Sequence, residues 1–368
     1  MLQGFAIIVG LGLIGVTLVD GFCTVVLPRR VRRAFRLTGA FYRFTWSLFA
    51  AAGRRIGNGA RREEYLSVYG PLSFLTLLIC WALFLIAGFG LLQWAAAPSM
   101  RLEELASAIY TSASALFMLT ADVHQNTFSR WLVTIEAGVG FGFLGLVVGY
   151  LPVLYQSYSS REVRISLLDA RAGSPPSAGE LVLRQSKNPD KVEKQLADWE
   201  EWMAELLEEH LSYPMLAYFR SQHQNQSWLA ALTAMLDATV LVALGSDGDL
   251  KRQAQLTFAI GRHALVDLAT VFRAKPQVPP EDRLPSSHLG ELCTALGDAK
   301  SCLQVDRVSP EKLAALRGMY EPYAYSLSVH FLFALPEWRP KSSRDDNWLA
   351  TSEEHNNAKF AVSDPFRD

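Results

Sequence analysis

The chain has 368 residues, half of them hydrophobic, and 35 basic against 36 acidic side chains leave a net charge of −1. That length allows two or three folding units, and the even charge balance gives no reason to expect a nucleic-acid partner. Apolar residues crowd before position 160 while the charges and most prolines follow it, so the distribution carries the information that the total does not.

Gly4 to Leu27 is a first apolar span, interrupted only by Asp20. Its arginines come after it, the reverse of a cleaved signal peptide, so a retained anchor is expected. Ten arginines follow between Pro28 and Glu64 (Arg29, Arg30, Arg32, Arg33, Arg36, Arg43, Arg54, Arg55, Arg61 and Arg62) against Glu63 and Glu64. The positive-inside rule makes that loop cytoplasmic and the N-terminus external. Within it, Leu37 to Ala52 is aromatic and too short to span. It reads either as an interfacial helix whose basic flanks are drawn to anionic lipid, or as a helix packed on a channel's cytoplasmic mouth. Tyr65 to Met100 carries no formal charge and predicts a long second span.

Leu105 to Ala121 is rich in small residues. As a helix it rises about 25 Å, short of the roughly 30 Å hydrocarbon core, so a re-entrant segment is expected. The polar turn Asp122-Val123-His124-Gln125-Asn126-Thr127 follows. Trp131 to Ser160 is a third span with Glu136 as its only formal charge. Gly140-Phe141-Gly142-Phe143-Leu144-Gly145 fits a dinucleotide-binding pattern, but no strand or βαβ unit surrounds it. Gly138, Gly142, Gly145 and Gly149 instead share one helix face, suited to close packing or to hinge motion, with Glu136 nearly opposite.

Span, short re-entrant helix, polar turn and span together resemble the two-helix pore module of tetrameric potassium channels, over roughly Pro71 to Leu154. Asp122-Val123 is similar to the aspartate after the filter and its neighbour. Arg130 and Glu136 are similar to the Arg and Glu that open the inner helix. The resemblance implies a homotetramer with Asp122 ringing an axis, where a carboxylate ring attracts cations; an aspartate that hydrogen-bonds behind the filter is the other reading. His124 is a candidate external pH sensor. A potassium filter reads Thr-x-Gly-Tyr-Gly-Asp, whereas here Phe117-Met118-Leu119-Thr120-Ala121-Asp122 contains no glycine, so K⁺ selectivity is not expected.

After Arg161 the chain becomes polar. Arg171 to Pro189 reads as a linker. Asp190 to Leu211 is amphipathic, with Val192, Leu196, Trp199, Met203 and Leu206 on one face, and its acidic side is a candidate protein-docking surface or simply a solvated face. Helical patterns recur over Trp228–Leu244 and Leu250–Arg273. Pro276 to His288 reads as loop, and Ser309-Pro310 as the cap and first residue of a last helix reaching Leu335.

The expected fold is an all-α membrane protein: three transmembrane helices, a re-entrant pore helix and an all-helical cytoplasmic domain. Its parts are an anchor and Arg-rich segment (1–64), a pore-loop module (65–160), a linker (161–188), a helical domain (189–335) and a polar, disordered tail (336–368). No nucleophile motif or P-loop is present, and the cysteines form no CxxC pair, so neither an enzyme nor a cofactor or metal protein is expected. His263 with Asp267, and His210 and His223 elsewhere, complete no metal-binding pattern. The expected setting is a bacterial inner membrane, with the C-terminus inside. The expected role is ion passage, with a non-conducting membrane scaffold or signalling protein as the alternative.

Overall fold

The computed structural model describes residues 1–26, 37–97, 99–119, 127–185, 187–222, 225–299 and 301–339. The described residues are helical throughout, without strands. They form two compact units: Met1–Ser157 with Met215–Phe219, and Tyr158–Pro214 with the chain from Arg220 onward.

The first unit opens with α1 (Leu2–Gly21), whose last turns loosen into a π-helical stretch, Phe22–Val26. Next come α2 (Leu37–Arg54) and α3 (Gly59–Ser67), the latter capped by the Asn58 side chain on the Arg61 amide. The chain then runs through α4 (Tyr69–Ala95), α5 (Leu102–Leu116) and α6 (Thr127–Ala172). The long second span of the sequence reading is thus two helices meeting at Val68. Helix α1 lies along α4, and Gly10 and Gly88 mark the crossing: a Cβ on Gly10 would stand 2.8 Å from the Gly88 carbonyl oxygen. Ile14, Leu85, Phe89, Leu116 and Leu132 fill the core between α1, α4, α5 and α6. Helix α2 buries Tyr42 and Trp46 in an aromatic cluster with Tyr69 of α4 and with Tyr218. Tyr218 comes from the 3₁₀ turn Pro214–Tyr218, which contributes Met215–Phe219 to this unit.

Helix α6 has 46 residues and so rises about 69 Å, more than twice the hydrocarbon thickness. The whole of it is too long for one bilayer crossing, and the residues from Tyr158 onward belong to the second unit. There α7 (Ala178–Gln185) occupies the stretch that composition marks as linker. Helix α8 (Pro189–Ser212) is capped by Asn188, with Pro189, read from the sequence as linker, at its first turn, and ends before Pro214. At the centre is α9 (Trp228–Gly245), capped by Ser227 on the Ala230 amide. Around it are α10 (Gly248–Val271), α11 (Ser286–Asp298), α12 (Pro310–Gly318) and α13 (Glu321–Phe331). The last predicted helix breaks in two at Met319–Tyr320. Pro322 lacks the amide that would bond back into α12, and its ring crowds the preceding turn.

Four helical segments are long and apolar enough to cross a membrane: Leu2–Val25, Gly59–Ala95, Thr127–Ala172 and Trp228–Gly245. The sequence reading has three. The fourth differs in where its surface goes, because 89% of the apolar window of α9 is buried inside the fold, against 17% for the first and third segments. A helix apolar on all sides needs either lipid or a protein shell. Helix α9 has the shell, whereas α1 and α6 leave Phe5, Ile8, Phe141 and Val148 exposed.

Candidate functional site in the apolar unit

Helix α5 has 15 residues, about 22 Å of rise, and stands between the two much longer helices α4 and α6. Its start is held by Glu104, which accepts from the Arg101 amide (3.1 Å) and from the Ser99 hydroxyl (2.5 Å). The Trp94 indole donates to the Arg101 carbonyl at 2.9 Å, tying the α4–α5 connection to the end of α4.

Glu136 joins α4, α5 and α6 at one point. It is fully buried; one carboxyl oxygen is hydrogen-bonded to Ser112 of α5 and the other accepts from the Gln93 amide of α4 at 3.1 Å. The Ser112 hydroxyl also lies 2.9 Å from the Ile86 carbonyl. One hydroxyl hydrogen faces two acceptors, so Ser112 serves one oxygen at a time unless the carboxyl supplies a hydrogen itself. Glu136 is thus hydrogen-bonded to the short helix. Its two partners escaped the sequence reading, although Gln93 is the only side-chain amide in α4.

A parallel arrangement surrounds Asp20 near the end of α1. One of its oxygens accepts from the Thr38 amide (3.0 Å), the Thr38 hydroxyl (2.5 Å) and the Trp81 indole (3.1 Å). These two buried acids therefore each gather three helices: Asp20 joins α1, α2 and α4, and Glu136 joins α4, α5 and α6. Arg29 and Arg30, the partners that proximity in sequence suggests for Asp20, lie outside the described residues.

The turn after α5 is described as far as Leu119. Phe117, Met118 and Leu119 are all half exposed or more. The Leu119 amide donates to the Ser114 carbonyl at 2.7 Å and Met118 adopts φ 56°, the left-handed ending of a Schellman motif. Met118 takes this conformation although it carries a side chain. It is a single helix terminator and not part of an alternating series. Thr120, Ala121, Asp122 and His124 lie outside the described residues.

The glycines of α6 divide differently from the sequence reading. Gly138, Gly142, Gly145 and Gly149 have no atom within 4 Å of an added Cβ, so their stripe is open within one chain. Gly140 makes the close approach: a Cβ there would lie 2.1 Å from the Leu116 carbonyl oxygen. Helical periodicity separates Gly140 from the stripe but does not tell which face meets α5.

In the second unit, Asp237 of α9 is fully buried and pairs with Arg283 at 2.5 Å and with the Tyr320 hydroxyl. Glu321 bridges Arg283 and Arg317 at 3.0 and 3.1 Å, and Arg317 reaches Asp282 at 2.5 Å. Burial alone would raise the Asp282 carboxyl, but the Arg317 hydrogen bond and charge outweigh it and hold the group below its ordinary value. Burial pushes Glu321 up. Arg283 also donates to the Pro336 carbonyl, and Trp338 is buried under Arg317, so packing continues past the 335 boundary. This network fixes the loop before α11 and the end of the described chain onto α9.

The histidines do not converge. His263 meets only Asp267 at 3.8 Å on an exposed face, His210 is fully buried, and His223 lies outside the described residues. Among the described residues no group of three His, Cys, Asp or Glu side chains is placed to hold a metal ion. A cavity of about 20 Å³ between α7, α8 and α9, lined by Leu181, Gln195 and Val242 among others, has room for about one water molecule. Comparison with protein-family models, curated proteins and solved structures finds no match for this chain.

Proposed function

We propose that this chain is an integral membrane protein of pore-loop type. It assembles as a homotetramer, passes cations without preferring K⁺, and is regulated by its second, cytoplasmic helical unit. One observation carries the reading: a helix too short to cross a bilayer stands between two long apolar helices and is tied to both through a single buried acid, Glu136. A segment that enters and leaves on one side needs its polar backbone ends sheltered by protein or water. The exposed apolar faces of α1 and α6 supply the lipid contact, and the open glycine stripe of α6 leaves room for a neighbouring copy at close range. In this reading Asp122 favours cations by charge, and the protein sits in a bacterial inner membrane with its N-terminus outside and its C-terminus inside.

A second reading is a non-conducting membrane scaffold or signalling protein that works through its helical unit, where a cytoplasmic protein partner would bind. The exposed apolar run Phe117-Met118-Leu119 favours it, because three such side chains per copy would close a narrow axis. Purified protein in sealed vesicles, loaded with a cation-sensitive dye and placed in a Na⁺ or K⁺ gradient, decides between the two. Flux that scales with protein content supports passage, and flux no greater than in empty vesicles supports the scaffold.

A further inference from the structure

Helix α2 is two-faced. Thr38, Tyr42, Trp46, Ala50 and Gly53 are buried, and at 3.6 residues per turn they form one strip against α4 and the 215–219 turn. The opposite strip holds Phe44, Leu48 and Ala51, all exposed, Phe44 by 66% and Leu48 by 58%. Arg43 and Arg54 are exposed along one flank of that strip, and Arg55 continues its centre where the helix ends. From Leu37 to Arg62 there are five arginines and no aspartate or glutamate. An apolar strip bordered by charge of one sign matches a phospholipid, with acyl chain beside the rings and headgroup beside the guanidinium groups.

We propose that the free face of α2 is a docking surface for anionic phospholipid. The acyl chains lie on Phe44 and Leu48, and the phosphates are held by Arg43, Arg54 and Arg55. A neutral protein surface would gain from the apolar strip alone, whereas an anionic lipid gains from the strip through its acyl chains and from the arginines through its headgroup. The net positive charge of the segment, five arginines against Glu63 and Glu64, selects an anionic headgroup, and arginine suits phosphate because its planar fork donates two parallel hydrogen bonds. The buried strip gives the surface a fixed orientation, since Tyr42 and Trp46 hold the helix by ring contacts at 5.2–5.3 Å to Tyr218. This inference rests on the membrane part of the reading above and not on conduction, so a chain that passes no ions would still bind.

The test uses the full-length protein in detergent, titrated with phosphatidylglycerol or phosphatidylcholine and weighed with its retained lipids by native mass spectrometry. Phosphatidylglycerol should be retained in excess. Each arginine changed to glutamine (R43Q, R54Q, R55Q) should weaken retention about fivefold, while R130Q, an exposed arginine on α6, leaves it unchanged. F44A/L48A should weaken both lipids alike, and R43K/R54K/R55K should keep the preference. Should the glutamine variants fail to fold, the salt dependence of wild-type retention still decides, because an electrostatic preference shrinks as salt rises. Equal retention of the two lipids at low salt would overturn the proposal. So would a change in oligomer size in the arginine variants at constant lipid count, which would mean that a second copy covers the face.

Discussion

Gln93 donates to Glu136 across 43 residues of chain at 3.1 Å, and the same carboxyl group is bonded to Ser112. The short helix α5 is therefore held to α4 and α6 through a side chain that belongs to neither end of it. Glutamine at position 136 has both a donor and an acceptor for these partners. E136Q should keep the fold within about 1 kcal/mol, whereas E136A leaves the Gln93 amide without its acceptor, while Ser112 keeps the Ile86 carbonyl, and should cost about 1–3 kcal/mol. Thermal unfolding of the detergent-solubilised protein measures both. Equal losses would mean that shape, and not hydrogen bonding, matters at this position.

Gly140 and Gly142 sit two residues apart and should respond oppositely. A methyl group on Gly140 meets the Leu116 carbonyl, which as backbone cannot swing aside, so G140A should destabilise by about 1–3 kcal/mol. Gly142 is open within the chain, and in a helix interior alanine is favoured over glycine by up to about 1 kcal/mol. G142A should therefore be neutral or stabilising when unfolding of the single chain is followed in detergent.

Met118 takes a left-handed conformation that costs a side-chain-bearing residue about 1–2 kcal/mol. M118G relieves that cost and gives back part of it as added freedom of the unfolded chain. A net gain of about 0.5–1 kcal/mol is expected, readable as a higher unfolding temperature. A loss would mean that the Met118 side chain makes contacts that outweigh the strain.

These residues mark where the sequence was legible. A local signal worked: Ser309-Pro310 starts a helix where it stands, because capping is decided within four residues. Pro214 ends α8 for the same kind of reason. Tertiary facts did not show. Helix α9 has the hydropathy of a span, and only the shell of helices around it separates it from α1. The glycine stripe was found by periodicity, yet periodicity does not say that Gly140 is the residue at the crossing. Helix α7 sits in a stretch where proline and glycine suggested a linker, since its short apolar face gains stability only against α9 and its neighbours. At the candidate site, Glu136 was identifiable as a lone acid in an apolar run, but its partners 24 and 43 residues away were not.

His210 gives the second unit a pH dependence with a definite sign. Burial, reinforced by the Arg161 charge, pushes its pKa down to about 3, although the Leu206 carbonyl accepts from Nδ1 at 2.7 Å. Between pH 6.5 and 3 the unfolded chain therefore binds a proton that the folded chain refuses, and stability falls as pH drops. From pH 7 to pH 5 the loss from this residue should be about 2 kcal/mol. H210Q removes it, so the wild-type and H210Q unfolding curves should converge towards low pH. Parallel curves would assign the acid sensitivity to other groups.

The central claim is passage of cations without K⁺ preference, and the reversal potential under a K⁺/Na⁺ gradient tests it most directly. Full-length protein in a planar bilayer, with KCl on one side and NaCl on the other, should carry a cation current that reverses close to 0 mV. Phe117-Met118-Leu119-Thr120-Ala121 has no glycine series to turn successive carbonyls inward, and charge alone does not separate the two ions. A current reversing near the K⁺ equilibrium potential, or no current above that of the bare bilayer, would contradict the account.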